Sequence, residues 1–199
     1  MLGLKHGTVK LVSPRPYYRS WQKCFANEAD NLRKALDMPQ LHIEHVGSTS
    51  MGIIDSKPIL DMLAATDDLN KALDFEEILK KLDYELATSA HNYVLYVKGP
   101  KENRTHHLSF AKPGEDYWEE TILFRNYLKK HRPIAEDYED LKRKLAKRYP
   151  NSRRDYTLGK AEFIHKVLDM ARAEQPPNLA LRSEAMTKLA IPSPSVLQQ

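Results

Sequence analysis

Residues Leu41–Leu63 read LHIEHVGSTSMGIIDSKPILDML, and the fold turns on how they are parsed. Ile43 and Val46 are β-branched with polar Glu44 and His45 between them, a composition that suits a strand. Gly47 can take a positive φ and lets the backbone approach a ligand with no Cβ in the way. Ser48, Thr49 and Ser50 supply hydroxyls and are favoured at the start of a helix, whose first N–H groups suit a phosphate. Lys57 precedes Pro58, which favours an extended residue before it. Ile59, Leu60, Met62 and Leu63 then make a second, buried strand in which Asp61 is the only charge. A carboxylate left unpaired there is costly. Asp61 therefore either pairs with Lys57 or caps a turn, or it faces Ser48 across the strand pair in a metal or phosphate site.

Upstream, Val9–Val12 suits a short edge strand, and Trp21, Cys24, Phe25, Ala29, Leu32 and Leu36 recur at helical spacing over Tyr17–Leu36. Downstream, Asp67 caps a helix running to about Leu82, and Tyr84–Ala87 suits a strand. Asn92–Val97 and Thr105–Ala111 read as a hairpin. On its second strand His107 and Ser109 share one face, and His106 takes the other. Three helices follow, over about Asp116–His131, Pro133–Tyr149 and Arg153–Arg172, with Pro133 in a first turn and Ser152 as a cap. Prolines and serines dominate beyond Ala173, so residues 174–199 read as a mobile tail with room for a short helix over Leu179–Leu189.

A Gly-Ser turn followed at this distance by a strand Asp is similar to the nucleotidyltransferase superfamily. The strings IEHVGSTS, KPILDML, RTHHL, LFRNYLKKH and LKRKLAKRYPNSRRDYTLGKAEFI, in that order over about Val9–Arg172, resemble the GrpB family within it. The resemblance implies an α+β fold: a nucleotidyltransferase-like mixed β-sheet with flanking helices and a C-terminal helical bundle. Residues 1–112 would be the core, and 113–173 the helices closing the cleft. It implies a site in which Gly47, Ser48, Thr49, Ser50 and Lys57 meet phosphate. Asp61, Glu44 and His107 would be catalytic and would hold a divalent metal, magnesium or manganese ahead of zinc. Arg104, Arg125, Tyr156 and Lys160 would line the ligand; the alternative for Arg125, set among Ile122, Leu123, Phe124 and Leu128, is an ion pair with Asp61 or Glu44 that tethers the helices to the sheet. The implied function is binding of a nucleotide or other phosphorylated ligand, extending to transfer of a nucleotidyl group. Two departures bear on this. Active members of the superfamily carry a second carboxylate two residues after the first, where this chain has Leu63. The family's HHLH string reads HHLS, with Ser109 last. A binding module without chemistry is one alternative. Another is an aminoacyl-tRNA-dependent cyclodipeptide synthase of the arginine-containing type, as proposed for fungal GrpB-like proteins.

The 199 residues, 41% hydrophobic and 29% charged, suffice for a core. No apolar run approaches the roughly 20 residues of a membrane helix. The first residues lack the apolar stretch and small-residue site of a secretory leader. Cys24 is the only cysteine, so no internal disulfide forms, which fits a cytoplasmic setting. The net charge of +4 permits acidic ligands. Between Lys129 and Arg154 stand ten Lys/Arg against four Asp/Glu, a run that reads as a solvated face or as a dock for tRNA phosphates. P-loop, Rossmann, zinc-ribbon and HExxH strings are absent.

Overall fold

The computed structural model describes residues 9–100 and 104–175. The two runs of the Leu41–Leu63 segment form an antiparallel pair, β1 (Ile43–Val46) and β2 (Leu60–Ala65), with Val46 opposite Asp61 and Glu44 opposite Leu63. Between them Ser48–Ser50 makes a single 3₁₀ turn. The chain then runs through α2 (Leu69–Asp74), α3 (Glu76–Lys80), β3 (Tyr84–Ser89) and β4 (Val94–Lys98) before β5 (His106–Ala111) returns parallel to β2. The sheet has five strands in the order β1-β2-β5-β4-β3. It is mixed, as expected, because only the β2–β5 connection is a crossover.

Period-two alternation gives the sheet two unlike faces. Ile43, Met62, Ala64, Leu108 and Phe110 point to one side and pack on α1 (Tyr18–Ala35) and on α2 and α3. Burying such side chains is worth roughly 1.5–3 kcal/mol each, and this layer is the main core. Glu28 of α1 is buried within it, accepting hydrogen bonds from Lys98 at 2.6 Å and Tyr84 at 3.0 Å. The other face carries Glu44, Val46, Asp61, Leu63, His107 and Ser109. It is roofed by α4 (Asp116–Lys130), α5 (Arg132–Arg148) and α7 (Ala161–Ala173), which pack on one another through Tyr127, Leu128, Ala135, Tyr138, Val167 and Ala171.

Four expected elements are corrected. Val12 makes only an isolated bridge with Ser56, so Val9–Val12 is not a strand. Asp68, not Asp67, caps the helix after β2 by accepting from Asn70 N at 2.8 Å, while Asp67 holds Lys71. That helix breaks at Phe75, which turns inward onto Phe110. The expected helix 153–172 is likewise two, α6 (Arg153–Leu158) and α7, broken at Gly159–Lys160. A Cβ on Gly159 would lie 2.5 Å from the Leu145 side chain of α5, so the chain packs closely on that helix at the break. Cys24 is half-buried on α1. The short helix expected over 179–189 lies outside the described residues.

Candidate functional site: a cation-rich cleft on the Gly47–Ser48 turn

Gly47 sits at φ +66°, a conformation that disfavours any other residue. A Cβ there would fall 2.2 Å from Asp61 Oδ2. The missing side chain thus makes room for Asp61. The three hydroxyls that follow have separate fates. Ser50 Oγ donates to Gly47 O at 2.6 Å. Thr49 Oγ1 donates to Ile59 O at 3.3 Å and meets His45 Nε2 at 3.0 Å. Both residues are buried, and they hold the turn instead of meeting a ligand. Only Ser48 of the three lines the cleft, and its Oγ accepts from Lys142 Nζ at 3.1 Å.

Asp61 and His107 are brought side by side by the parallel register of β2 and β5. His107 Nδ1 lies 2.9 Å from Asp61 Oδ1, so the carboxylate's partner is this imidazole, not Lys57 or Arg125. Burial alone would raise the Asp61 pKa. The hydrogen bond and charge of His107, with Lys57 and Lys160 beyond, outweigh it and hold the group below its ordinary value. Ser109, in the place of the family's last histidine, meets the Tyr117 hydroxyl of α4 at 3.1 Å. His106 faces the opposite layer as expected, where burial pushes its pKa down to about 4.

Glu44 is not brought to Asp61 and His107. Its carboxylate accepts from Arg125 Nη1 at 2.6 Å and from His42 at 2.9 Å, and Arg125 also donates to His45 O at 2.8 Å. This pair ties α4 to the outer strand. Arg104 is also elsewhere: it holds Glu85 at 2.8 Å and the Gly99 carbonyl at the far hairpin end. Tyr156 is 1% exposed, and its ring carries two ammonium groups, Lys57 Nζ at 5.2 Å and Lys160 Nζ at 5.0 Å from the centroid. Burial, then the charge of Lys160, lowers Lys57 to about 8, and burial lowers Lys160 as well.

A cleft of about 410 Å³ lies between the sheet and the roof. Gly47, Ser48, Asp61 and His107 are on one wall, and Tyr117, Arg125, Tyr138 and Lys160 on the other. Lys142 is the residue that the sequence reading missed, having been counted in a solvated face. It is 2% exposed, donates to the Asp55 carbonyl and to Ser48, and lies 5.0 Å from the Tyr138 ring centroid. Ala135, Tyr138, Lys142 and Leu145 are all buried and are spaced three, four and three apart, so the heptad-like stripe of α5 was the available signal.

A two-metal centre needs several acidic ligands. Here Asp61 is engaged by His107, Leu63 fills the next inward position of β2, and Glu44 is held by Arg125. Among the described residues no three His, Cys, Asp or Glu side chains are grouped to hold a metal. The donor set does not fit a two-metal centre.

The GrpB family model matches residues 9–170. The chain belongs to the GrpB family. A relative in Bacillus subtilis, UPF0157 protein YqkA, is 33% identical over 160 residues, which is 78% of this chain but 46% of that protein. The chain thus spans about half the length of that relative. The crystal structure of GrpB from Enterococcus faecalis superposes with a TM-score of 0.68 at 31% identity, covering 76% of this chain and 92% of that one. The fold is therefore that of a solved GrpB protein. Nucleotidyltransferase-like neighbours are looser. Cid1, described as an RNA terminal uridylyl transferase, matches with a TM-score of 0.44 at 16% identity over 67% of this chain and 41% of that one, from which nothing about activity follows. Among the described residues no helix is long and apolar enough to cross a membrane.

Proposed function

We propose that this GrpB protein binds a nucleotide or another small phosphorylated ligand in the cleft. One observation carries the reading: Lys160 lines the cleft and Lys57 stands with it over the Tyr156 ring, both half-buried, and among the described residues neither is in an ion pair. Ammonium groups held partly out of water without an ion-pair partner favour a counter-charge, and a polyanionic ligand would supply it. Lys160 and Arg125 line the cleft, and Ser48 offers a hydroxyl to the same guest. Leu63, where the superfamily's second carboxylate would stand, favours binding without nucleotidyl transfer as the form this function takes.

Thermal unfolding with ATP, UTP and inorganic triphosphate, with and without magnesium or manganese, tests the reading. A ligand present at 100 times its Kd stabilises the folded state by about 2.7 kcal/mol, so the melting temperature should rise by several degrees. Lys160→Ala should abolish the shift. A parent protein indifferent to all three anions would sink the proposal. Magnesium dependence of the shift, with radiolabel transferred from a nucleotide, would restore the transferase form.

A further inference from the structure

We propose that Ser48 and Lys142 form a nucleophile–base dyad, and that the cleft supports acyl transfer through a covalent acyl-serine. This is an activity beyond ligand binding, and the geometry at the turn carries it. Of the three consecutive hydroxyls, those of Thr49 and Ser50 are spent on backbone carbonyls. Ser48 Oγ has one partner, Lys142 Nζ at 3.1 Å, and it borders the cleft where a substrate carbonyl would sit. Lys142 is 2% exposed and fixed in place, because its amine also meets the Asp55 carbonyl and the face of Tyr138. A neutral amine can donate its two hydrogens to those two neighbours and turn its lone pair to the serine O–H.

The charged groups around the amine favour that neutral form. Burial comes first and Lys160 second. Arg143 of the same helix adds to them, and Glu139 and Asp55 oppose; the balance brings Lys142 down to about 7. An amine poised near neutrality is what a general base needs at working pH. Serine–lysine pairs of this type activate hydroxyls on unrelated folds.

The step balances without a co-reactant. Ser48 Oγ bonds to the carbonyl carbon of an ester and gives its proton to Lys142 Nζ. The carbon–oxygen bond to the leaving alcohol breaks, and that alcohol takes the proton back from the lysine. Water or an amine then repeats the sequence and frees Ser48. The cations beside the cleft favour esters whose leaving group carries phosphate. That preference rests on the binding reading above; the dyad does not.

A fluorophosphonate probe, which traps activated serines, tests the dyad on the full chain by intact-mass measurement and peptide sequencing. One adduct is expected, on Ser48, with a rate that rises with pH and levels off above neutrality as Lys142 loses its proton. Ser48→Ala should remove it. Lys142→Met, which keeps the volume and removes the charge, should slow labelling by ~100-fold or more while its melting curve stays cooperative. Should that variant not fold, the parent's pH profile decides. No adduct at Ser48, or a rate still climbing steeply in strong alkali, overturns the proposal. Labelling without a nucleotide-induced melting shift would uphold the dyad and sink the phosphate reading; the reverse would do the opposite.

Discussion

Lys142 holds an amine among buried side chains, and pH must act on the folded chain through it. Burial, then Lys160, lowers its pKa from 10.5 to about 7, and Lys57 falls to about 8 by burial, then Lys160. Between those values and 10.5 the unfolded chain binds protons that the folded chain does not, so stability rises with pH across that window. Those two shifts integrate to roughly 6 kcal/mol between pH 7 and pH 10, so urea melts should show the parent gaining several kcal/mol at the higher pH. Lys142→Met should be more stable than the parent at pH 7 and show a flatter dependence. Gly47 gives the second prediction at this scale. Gly47→Ala forces a side chain into φ +66° and onto Asp61 Oδ2, so it should cost roughly 2–3 kcal/mol and weaken the Asp61–His107 contact, seen as a changed His107 ring shift by NMR. The sequence pointed to Gly47, Ser48, Asp61, His107, Arg125 and Lys160, all of which border the cleft. Lys142 escaped notice because a charge run was read by composition rather than by helical phase. Glu44 stands on the cleft face of β1 but meets Arg125, the ion pair that the apolar neighbours of Arg125 leave open beside a ligand-lining role.

The secondary elements show where local pattern suffices. Strands were legible from β-branched alternation, and the helix from Asp116 to Lys130 from its spacing. The break at Gly159 was not, and it sits where the chain packs closely on Leu145 of α5. Nor was the junction at Phe75, where a ring drawn into the core wins over helix continuity. Arg125 joins two elements, α4 and β1, through Glu44 and the His45 carbonyl. Its guanidinium is largely shielded, with 12% side-chain exposure against 30% for Glu44, so the pair escapes the screening that makes surface bridges weak. Arg125→Ala should therefore cost about 2 kcal/mol in chemical denaturation, with Arg125→Lys recovering only part because it lacks the forked donor. A loss within error of zero would mean that α4 is held by its apolar contacts alone.

On the scale of the whole molecule, the basic run from Lys129 to Arg154 is smaller than its composition suggests. Lys142 is internal, Arg143 bridges Asp55, Glu139 and Asp140, Arg132 holds Glu136, and Lys130 reaches Glu174. Lys129, Lys144, Lys147, Arg148 and Arg154 remain exposed. A patch of that size should bind RNA weakly and lose it with added salt, since such affinity comes from released counterions. Filter binding of tRNA across a salt series checks this; tight binding that survives physiological ionic strength would favour the tRNA-dependent cyclodipeptide reading.

The parallel pairing of β2 with β5 has a kinetic meaning. Asp61 and His107 stand 46 residues apart and meet only when those strands join. Closing so long a loop spends chain entropy before any contact returns it, and pairings of this kind slow folding. The β1–β2 hairpin and the β4–β5 hairpin are local by contrast. Each can form early, yet neither holds more than half of the Asp61–His107 pair. During refolding this contact should mature with the slowest phase, after most secondary structure is in place, so a chain caught midway would look folded by its backbone signal while its cleft was still unmade.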